Sequence, residues 1–180
     1  MLLTQRGRES VVESTFIKRR EYRSIVNLKV SPRIHQFAEH TLHLAAPLRC
    51  TDNIVKSLWI GPEHWLILSN DQSASEIFVT FNEALNGKTF NALDYTAALK
   101  CFEISGESAP RLMSALSSVD FRPNMFSVGA CCRTKVARIS GVVMREAQNQ
   151  FLIFVDRSFE AYVEDLLRDT LNLLTNHPSA

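Results

Sequence analysis

The sequence predicts an α+β fold of two tandem βαββα halves, of the ferredoxin-like or split βαβ kind, from three observations. Strand-like runs and amphipathic helices follow one another in the same order twice. The stretch "WLILSNDQSASEIFVTFNEAL" at 65–85 can be laid on "FLIFVDRSFEAYVEDLLRDTL" at 151–171, matching Trp65 with Phe151, Ile77 with Val163, Phe81 with Leu167 and Leu85 with Leu171. Likewise "SPRI" at 31–34 resembles "APRL" at 109–112.

Residues 1–21 mix Arg6, Arg8, Lys18, Arg19 and Arg20 with Glu9, Glu13 and Glu21, show little apolar period, and read as a basic arm or flexible N-terminus. The domain proper is expected over 22–180, with halves at about 22–90 and 91–176. "SIVNLKV" (24–30) reads as a half-buried strand. Ser31 can cap the next helix and Pro32 suits its first position, where a missing N–H costs nothing; Ile34, Phe37, Ala38, Leu42 and Ala45 then share one face. "IVKSLWI" and "WLILS" form a hairpin bent at Gly61 and Pro62. A helix over about 72–86 places Ile77, Phe81 and Leu85 four apart and stops at Gly87.

In the second half "ALKCFEI" is a strand and "GESAPRLMSAL" a helix with Pro110 in its first turn. "CRTKVARISGVVMR" and "FLIFVD" read as one long hairpin. The closing helix takes Ser158 as its cap and carries Phe159, Tyr162, Val163, Leu166, Leu167 and Leu174 on one stripe.

With 46% hydrophobic residues, 22% charged residues and a net charge of +1, the chain has neither the polarity of a disordered segment nor the one-signed field of a nucleic-acid binder. The longest apolar runs, such as "FLIFV" at 151–155, are far shorter than the roughly 20 residues that span a bilayer, and Arg6 and Arg8 interrupt the start before a signal-length run forms. No membrane or nucleic-acid partner is expected, and a cytoplasmic location follows. Cys50, Cys101, Cys131 and Cys132 include no CxxC and are expected as reduced core residues.

Chemistry leaves little trace. The six glycines form neither GxGxxG nor GxxxxGK[ST], so no nucleotide loop of the common form is encoded. His40 and His43 stand three apart, with His35 nearby, but only Glu39 adds a ligand type, and the spacing is a weak metal signal. No histidine lies between His64 and His177 to activate Cys131 or Cys132, so both are read as strand residues, one facing inward and one outward. Glu164 and Asp165 diverge by about 100° on a helix and cannot share a proton. Trp59 and Trp65 are expected in the core. The remaining candidate is "DFRPNMFSVGACCRTK" (120–135), which offers Arg122, Arg133 and Lys135 to carboxylates on a neighbour, or else merely closes the domain.

Four ordered blocks, "LWIGPEHWLIL" (58–68), "LDYTAALKCFEISGESAPRLM" (93–113), "VDFRPNMFSVGACCRTKVARI" (119–139) and "FLIFVDRSFEAYVEDLL" (151–167), resemble the gamma-subunit family of heterotetrameric sarcosine oxidase. The likeness covers about residues 22–174 and includes Trp59, Gly61, Pro62, Trp65, Asp94, Glu103, Gly106, Asp120, Pro123, Gly129, Thr134 and Tyr162. It departs at Ala97, Ala98 and Leu99, where the family pattern has His-Ala-Arg. "FEISGESAPRLMSAL" is similar, more distantly, to the folate-binding domain of the glycine-cleavage aminomethyltransferase, although "RISGVVMREAQNQF" keeps only Glu146 as an acid where that family has aspartates.

The resemblance implies a fold like that folate-binding domain and a chain that does no chemistry itself. Its partners would be the alpha, beta and delta subunits, alpha first, of a complex that demethylates sarcosine oxidatively. FAD, FMN, NAD, tetrahydrofolate and zinc would sit in those partners and none in this chain. Two alternatives stay open: a stand-alone folate or small-molecule binder, and the equivalent subunit of an N-methylglutamate dehydrogenase-type complex.

Overall fold

A computed structural model describes residues 15–51 and 55–176. The strands are β1 (Phe16–Arg20), β2 (Ser24–Val30), β3 (Lys56–Gly61), β4 (His64–Ser69), β5 (Phe90–Asp94), β6 (Leu99–Ser105), β7 (Cys131–Val136), β8 (Ile139–Ala147) and β9 (Gln150–Asp156). The helices are α1 (His35–Leu42), α2 (Ala74–Ala84), α3 (Ala109–Leu116) and α4 (Glu160–Asn176). Two antiparallel sheets result, in the orders β3-β4-β2-β5 and β1-β6-β9-β8-β7.

The first half, β2-α1-β3-β4-α2-β5, is a complete split βαβ unit whose last strand returns beside the first. In the second half the equivalent edge position beside β6 is filled by β1, from the other end of the sequence. Residues 16–20 are therefore not an arm but an edge strand, in register from Phe16 opposite Ser105 to Arg20 opposite Cys101. Its charges explain why no apolar period is visible. Lys18 points inward onto Glu103 (2.9 Å), while Arg19 points outward onto Glu160 of α4 (2.9 Å), partners more than 80 residues away. Residues 1–14 of the expected arm lie outside the described residues.

The halves stack as four layers. α1 and α2 cover one face of the four-stranded sheet, over Val26, Leu28, Trp65, Ile77 and Phe81. α3 and α4 cover the five-stranded sheet, over Phe102, Leu112, Phe151, Val163 and Leu167. The two remaining faces meet through Ile25, Leu58, Leu66, Cys101, Met144 and Phe154. Ile77 and Val163, and Phe81 and Leu167, occupy matching buried positions, so the internal repeat is structural. Trp65 is fully buried and its Nε1–H donates to the Ala45 carbonyl (2.8 Å).

Several local expectations are corrected. The single long arm over 132–145 is two strands, β7 and β8, because Ala137 and Arg138 both take positive φ (53° and 71°) and close a two-residue turn without glycine. Between β3 and β4 the left-handed residue is Glu63 (φ 52°), following Pro62, and not Gly61. Asp156, rather than Ser158, caps the last helical segment: its carboxylate accepts from the Ser158 N–H (2.8 Å) and hydroxyl (2.6 Å). Phe37 is exposed on α1, with the Lys88 ammonium 4.4 Å from its ring centre, while Ala38 fills the buried face. β5 was not expected; its short, mostly exposed "FNALD" has too few buried positions to show a period.

Candidate contact surface and inter-sheet cleft

The loop between α3 and β7 is built on a buried cation. Arg145 of β8 is 1% exposed, and among the described residues no carboxylate pairs with it. Its guanidinium instead donates to the carbonyls of Phe121 (3.1 Å), Phe126 (2.7 Å) and Gln148 (3.1 Å) and lies 5.1 Å from the Phe151 ring centre. Phe121 packs edge-on to Phe126 and Phe151, with ring centres 5.2 and 5.6 Å away. Gly129 (φ 79°) donates its N–H to the Arg145 carbonyl (2.9 Å), and the Arg145 N–H returns to Ala130 (2.9 Å). The loop's backbone polarity is thus satisfied from inside, which frees its side chains to face out.

Those outward side chains are apolar: Met125 is 63% and Val128 54% exposed. Beside them stands Leu48, 55% exposed in a left-handed conformation (φ 60°). The two segments are stitched together. The Cys131 N–H donates to Leu48 O (3.0 Å), the Cys50 N–H to Gly129 O (2.9 Å), and Arg49 Nη1 to Ser127 Oγ (2.8 Å). A concavity of about 450 Å³ opens between them over Phe126, Ala130 and Cys132. Leu48, Met125 and Val128 form an exposed apolar patch with a rigid base, the composition of an interaction site.

The three cations singled out in the sequence divide. Arg122 lies on this loop but is held by Asp120, Nε donating to Oδ1 at 2.9 Å, and that contact keeps the Asp120 carboxyl below its ordinary range. Arg133 and Lys135 stand on β7 at inner-face positions, because alternation from Cys131, which faces the opposite sheet, puts them there. Arg133 lines a second cleft of about 450 Å³ where the two sheets splay apart. The floor of that cleft is Ile60, Leu66, Val142 and Phe154, and Asn27, His64, Ser140 and Asp156 stand around it. His64 Nε2 is 2.5 Å from Asn27 Oδ1, and burial, then Lys29, then Arg133 lower its pKa from the ordinary histidine value.

The opposite end of the sandwich is closed by charge. Glu146 meets Lys56 (2.9 Å) and Arg20; Glu103, 4% exposed, meets Lys18 and, at 3.5 Å, Arg20. Tyr22 packs on Phe154 there (6.0 Å between ring centres), its hydroxyl buried.

Cys131 and Cys132 behave as packing residues. Cys131 is buried between the sheets with Sγ 2.9 Å from the Arg49 carbonyl, and Cys132 faces the helix side of its sheet, half-buried rather than outward. Burial pushes Cys131 up to about 12 and Cys132 up to about 11, so both stay protonated at neutral pH. His35 stacks on Trp65 (5.6 Å), and His43 is the left-handed residue ending α1. Among the described residues no three His, Cys, Asp or Glu side chains converge on one point, and no helix is long and apolar enough to cross a membrane. Sequence reasoning missed Arg145 and His64. The available signal was parity: Arg145 shares its strand face with Val143, and a cation on an apolar face needs an internal partner.

Taken together, these features define a double split-βαβ sandwich of the aminomethyltransferase kind, with an apolar contact loop and an inter-sheet cleft. The aminomethyltransferase T of the glycine cleavage system from Bartonella henselae superposes with TM-score 0.62 at 11% identity, over 87% of this chain and 46% of that one. A chain of the heterotetrameric sarcosine oxidase from Corynebacterium sp. U-96, solved with pyrrole 2-carboxylate, superposes with TM-score 0.83 at 18% identity, over 95% of this chain and 90% of that one. At these identities the likenesses establish the fold.

Residues 28–172 match the model of the "Sarcosine oxidase, gamma subunit family", and the chain belongs to that family. Two curated relatives, each named sarcosine oxidase subunit gamma, are 25% identical: one from Corynebacterium sp. (strain P-1) over 123 residues, one from Arthrobacter sp over 116. The matched stretches span 68% and 63% of this chain, and 60% and 55% of the relatives' lengths.

Proposed function

We propose that this chain is a non-catalytic gamma subunit of a cytoplasmic, sarcosine oxidase-like complex whose partner subunits carry out the oxidative demethylation. The observation that carries this reading is family membership across residues 28–172. In this reading FAD, FMN, NAD, tetrahydrofolate and zinc are held by the alpha, beta and delta subunits, and the thiols of this chain, which burial keeps protonated, serve packing. The contact assigned to the partner, the alpha subunit first, is the patch of Leu48, Met125 and Val128, with the Arg122–Asp120 pair on the same loop and the β7 cations Arg133 and Lys135 close in sequence. An apolar centre with charged surroundings is the usual anatomy of such an interface.

Co-expression with the alpha subunit tests it. A single co-eluting complex is expected across a range of salt concentrations, because the contact is mainly apolar. Separate elution of the two chains at every ionic strength overturns the reading.

A further inference from the structure

The inner faces of the two sheets end differently. At the closed end Lys18, Arg20 and Lys56 all meet carboxylates, from Glu103 and Glu146. At the open end the inward-facing rows run from Ile25 to Asn27 and Lys29, from Leu66 to His64, from Cys131 to Arg133 and Lys135, and from Val142 to Ser140. Cationic and proton-donating groups gather there, and the one acid lining the cleft among the described residues, Asp156, has its Oδ1 already taken by the N–H and hydroxyl of Ser158. The Arg133 guanidinium reaches Ser140 Oγ at 3.4 Å, long for a charge-assisted bond. A guanidinium that no carboxylate pairs among the described residues, over an apolar floor in a cleft of about 450 Å³, has the size and chemistry of a small-ligand site.

We propose that this inter-sheet cleft binds a small organic anion, its carboxylate or phosphate held by Arg133 beside His64 and Asn27, and its flat apolar body lying on Ile60, Leu66, Val142 and Phe154. The inference goes beyond subunit assembly and stands without it. The site is a property of the full chain, separate from the Leu48, Met125 and Val128 patch. The charged groups around His64 are Lys29 on β2, Arg133 on β7 and, across the same cleft, Asp156 at the end of β9. Burial and the nearby cations disfavour the imidazolium, so a bound anion raises the His64 pKa, and by linkage the anion binds more tightly as pH falls through that range.

The test uses the full chain, titrated calorimetrically with 2-naphthoate, with its neutral isostere 2-naphthamide, and with inorganic phosphate. Saturable binding of 2-naphthoate is expected, with the amide and phosphate each weaker by about tenfold or more, and with a similar loss in Arg133→Gln. Arg133 is exposed, so the variant keeps its fold. Independently, NMR titration of the wild-type His64 ring should show its pKa rising when 2-naphthoate is present. No saturable binding, equal affinity for acid and amide, phosphate binding as tightly as 2-naphthoate, an unchanged Arg133→Gln, or a stationary His64 each overturns the proposal.

Discussion

The Nη1 atom of Arg145 lies 2.7 Å from the carbonyl oxygen of Phe126, and this bond ties strand β8 to the outermost loop of the five-stranded half. The same nitrogen serves Phe121 (3.1 Å), and Nε serves Gln148 (3.1 Å), so one side chain satisfies three buried or half-buried carbonyls. Removing it leaves those oxygens without donors and opens a void beside Phe151. Arg145→Ala is expected to destabilise the chain by about 3 kcal/mol. Arg145→Lys should recover little, since an ammonium cannot reproduce the planar fork. Urea denaturation measures both, and a loss below about 1 kcal/mol in the alanine variant would mean the loop satisfies itself.

Much of the fold was legible because its signals are local. The strand at "SIVNLKV" and the four-residue spacing of Ile77, Phe81 and Leu85 were read correctly, since each depends on neighbours within one element, although that strand is buried on both faces rather than half-buried, with Ile25 against the other sheet and Val26 under the helices. What escaped depends on residues far apart in sequence. β1 is held by an edge 81 positions away, where Arg20 lies opposite Cys101. The turn at Ala137 and Arg138 takes its left-handed geometry from the pairing of β7 with β8 rather than from turn-forming residues. The candidate site divided in the same way. The loop at 120–135 was visible from its Pro and Gly, but Arg122 is neutralised two residues away by Asp120, while Arg133 faces a cleft assembled from both sheets.

Acid sensitivity should centre on the closed end of the sandwich. Burial alone would raise the Glu146 pKa, but Lys56 and Arg20 outweigh it and hold the carboxyl below the ordinary glutamate value of 4.5. The group therefore adds stability that is fully present above that value and is lost as pH falls through its lower folded value. Thermal melts should show Tm flat toward neutrality and falling below about pH 4.5, with a shallower fall in Glu146→Gln. Parallel curves for the two proteins would place the acid-labile charge elsewhere.

Thiol chemistry separates packing from reactivity. With burial raising Cys101, Cys131 and Cys132, the native chain at pH 8 should leave these three sites unmodified by iodoacetamide, and alkylation should appear only on unfolding. Peptide mass spectrometry reads each site, and rapid native modification of Cys131 or Cys132 would revive the possibility of a nucleophile.

Gly106 is where the N-terminal strand meets the rest of the chain. Its φ of 122° is closed to ordinary L side chains, and a Cβ there would stand 2.5 Å from the Thr15 Cα, a backbone atom that cannot step aside cheaply. Gly106→Ala should cost about 3 kcal/mol and release β1 from β6. Hydrogen exchange at residues 16–20 is the diagnostic: protection there should fall while that of β9 persists. Retained protection would show that Lys18 and Glu103 are sufficient to hold the edge.

The exposed patch makes the sharpest distinction between folding and assembly. Met125 and Val128 project from a loop whose own hydrogen bonds run inward to Arg145, so replacing both with aspartate removes little internal packing and adds mainly exposed charge. Stability should change by less than about 0.5 kcal/mol. Buried against an apolar partner surface, each new carboxylate loses its water without gaining a cation, and association with the alpha subunit should weaken by about a hundredfold or more. Pull-down against the wild-type chain, paired with a urea melt of the variant, checks both halves of the expectation. Undiminished assembly moves the contact to another face, and loss of the fold would show that the loop carries stability as well as surface.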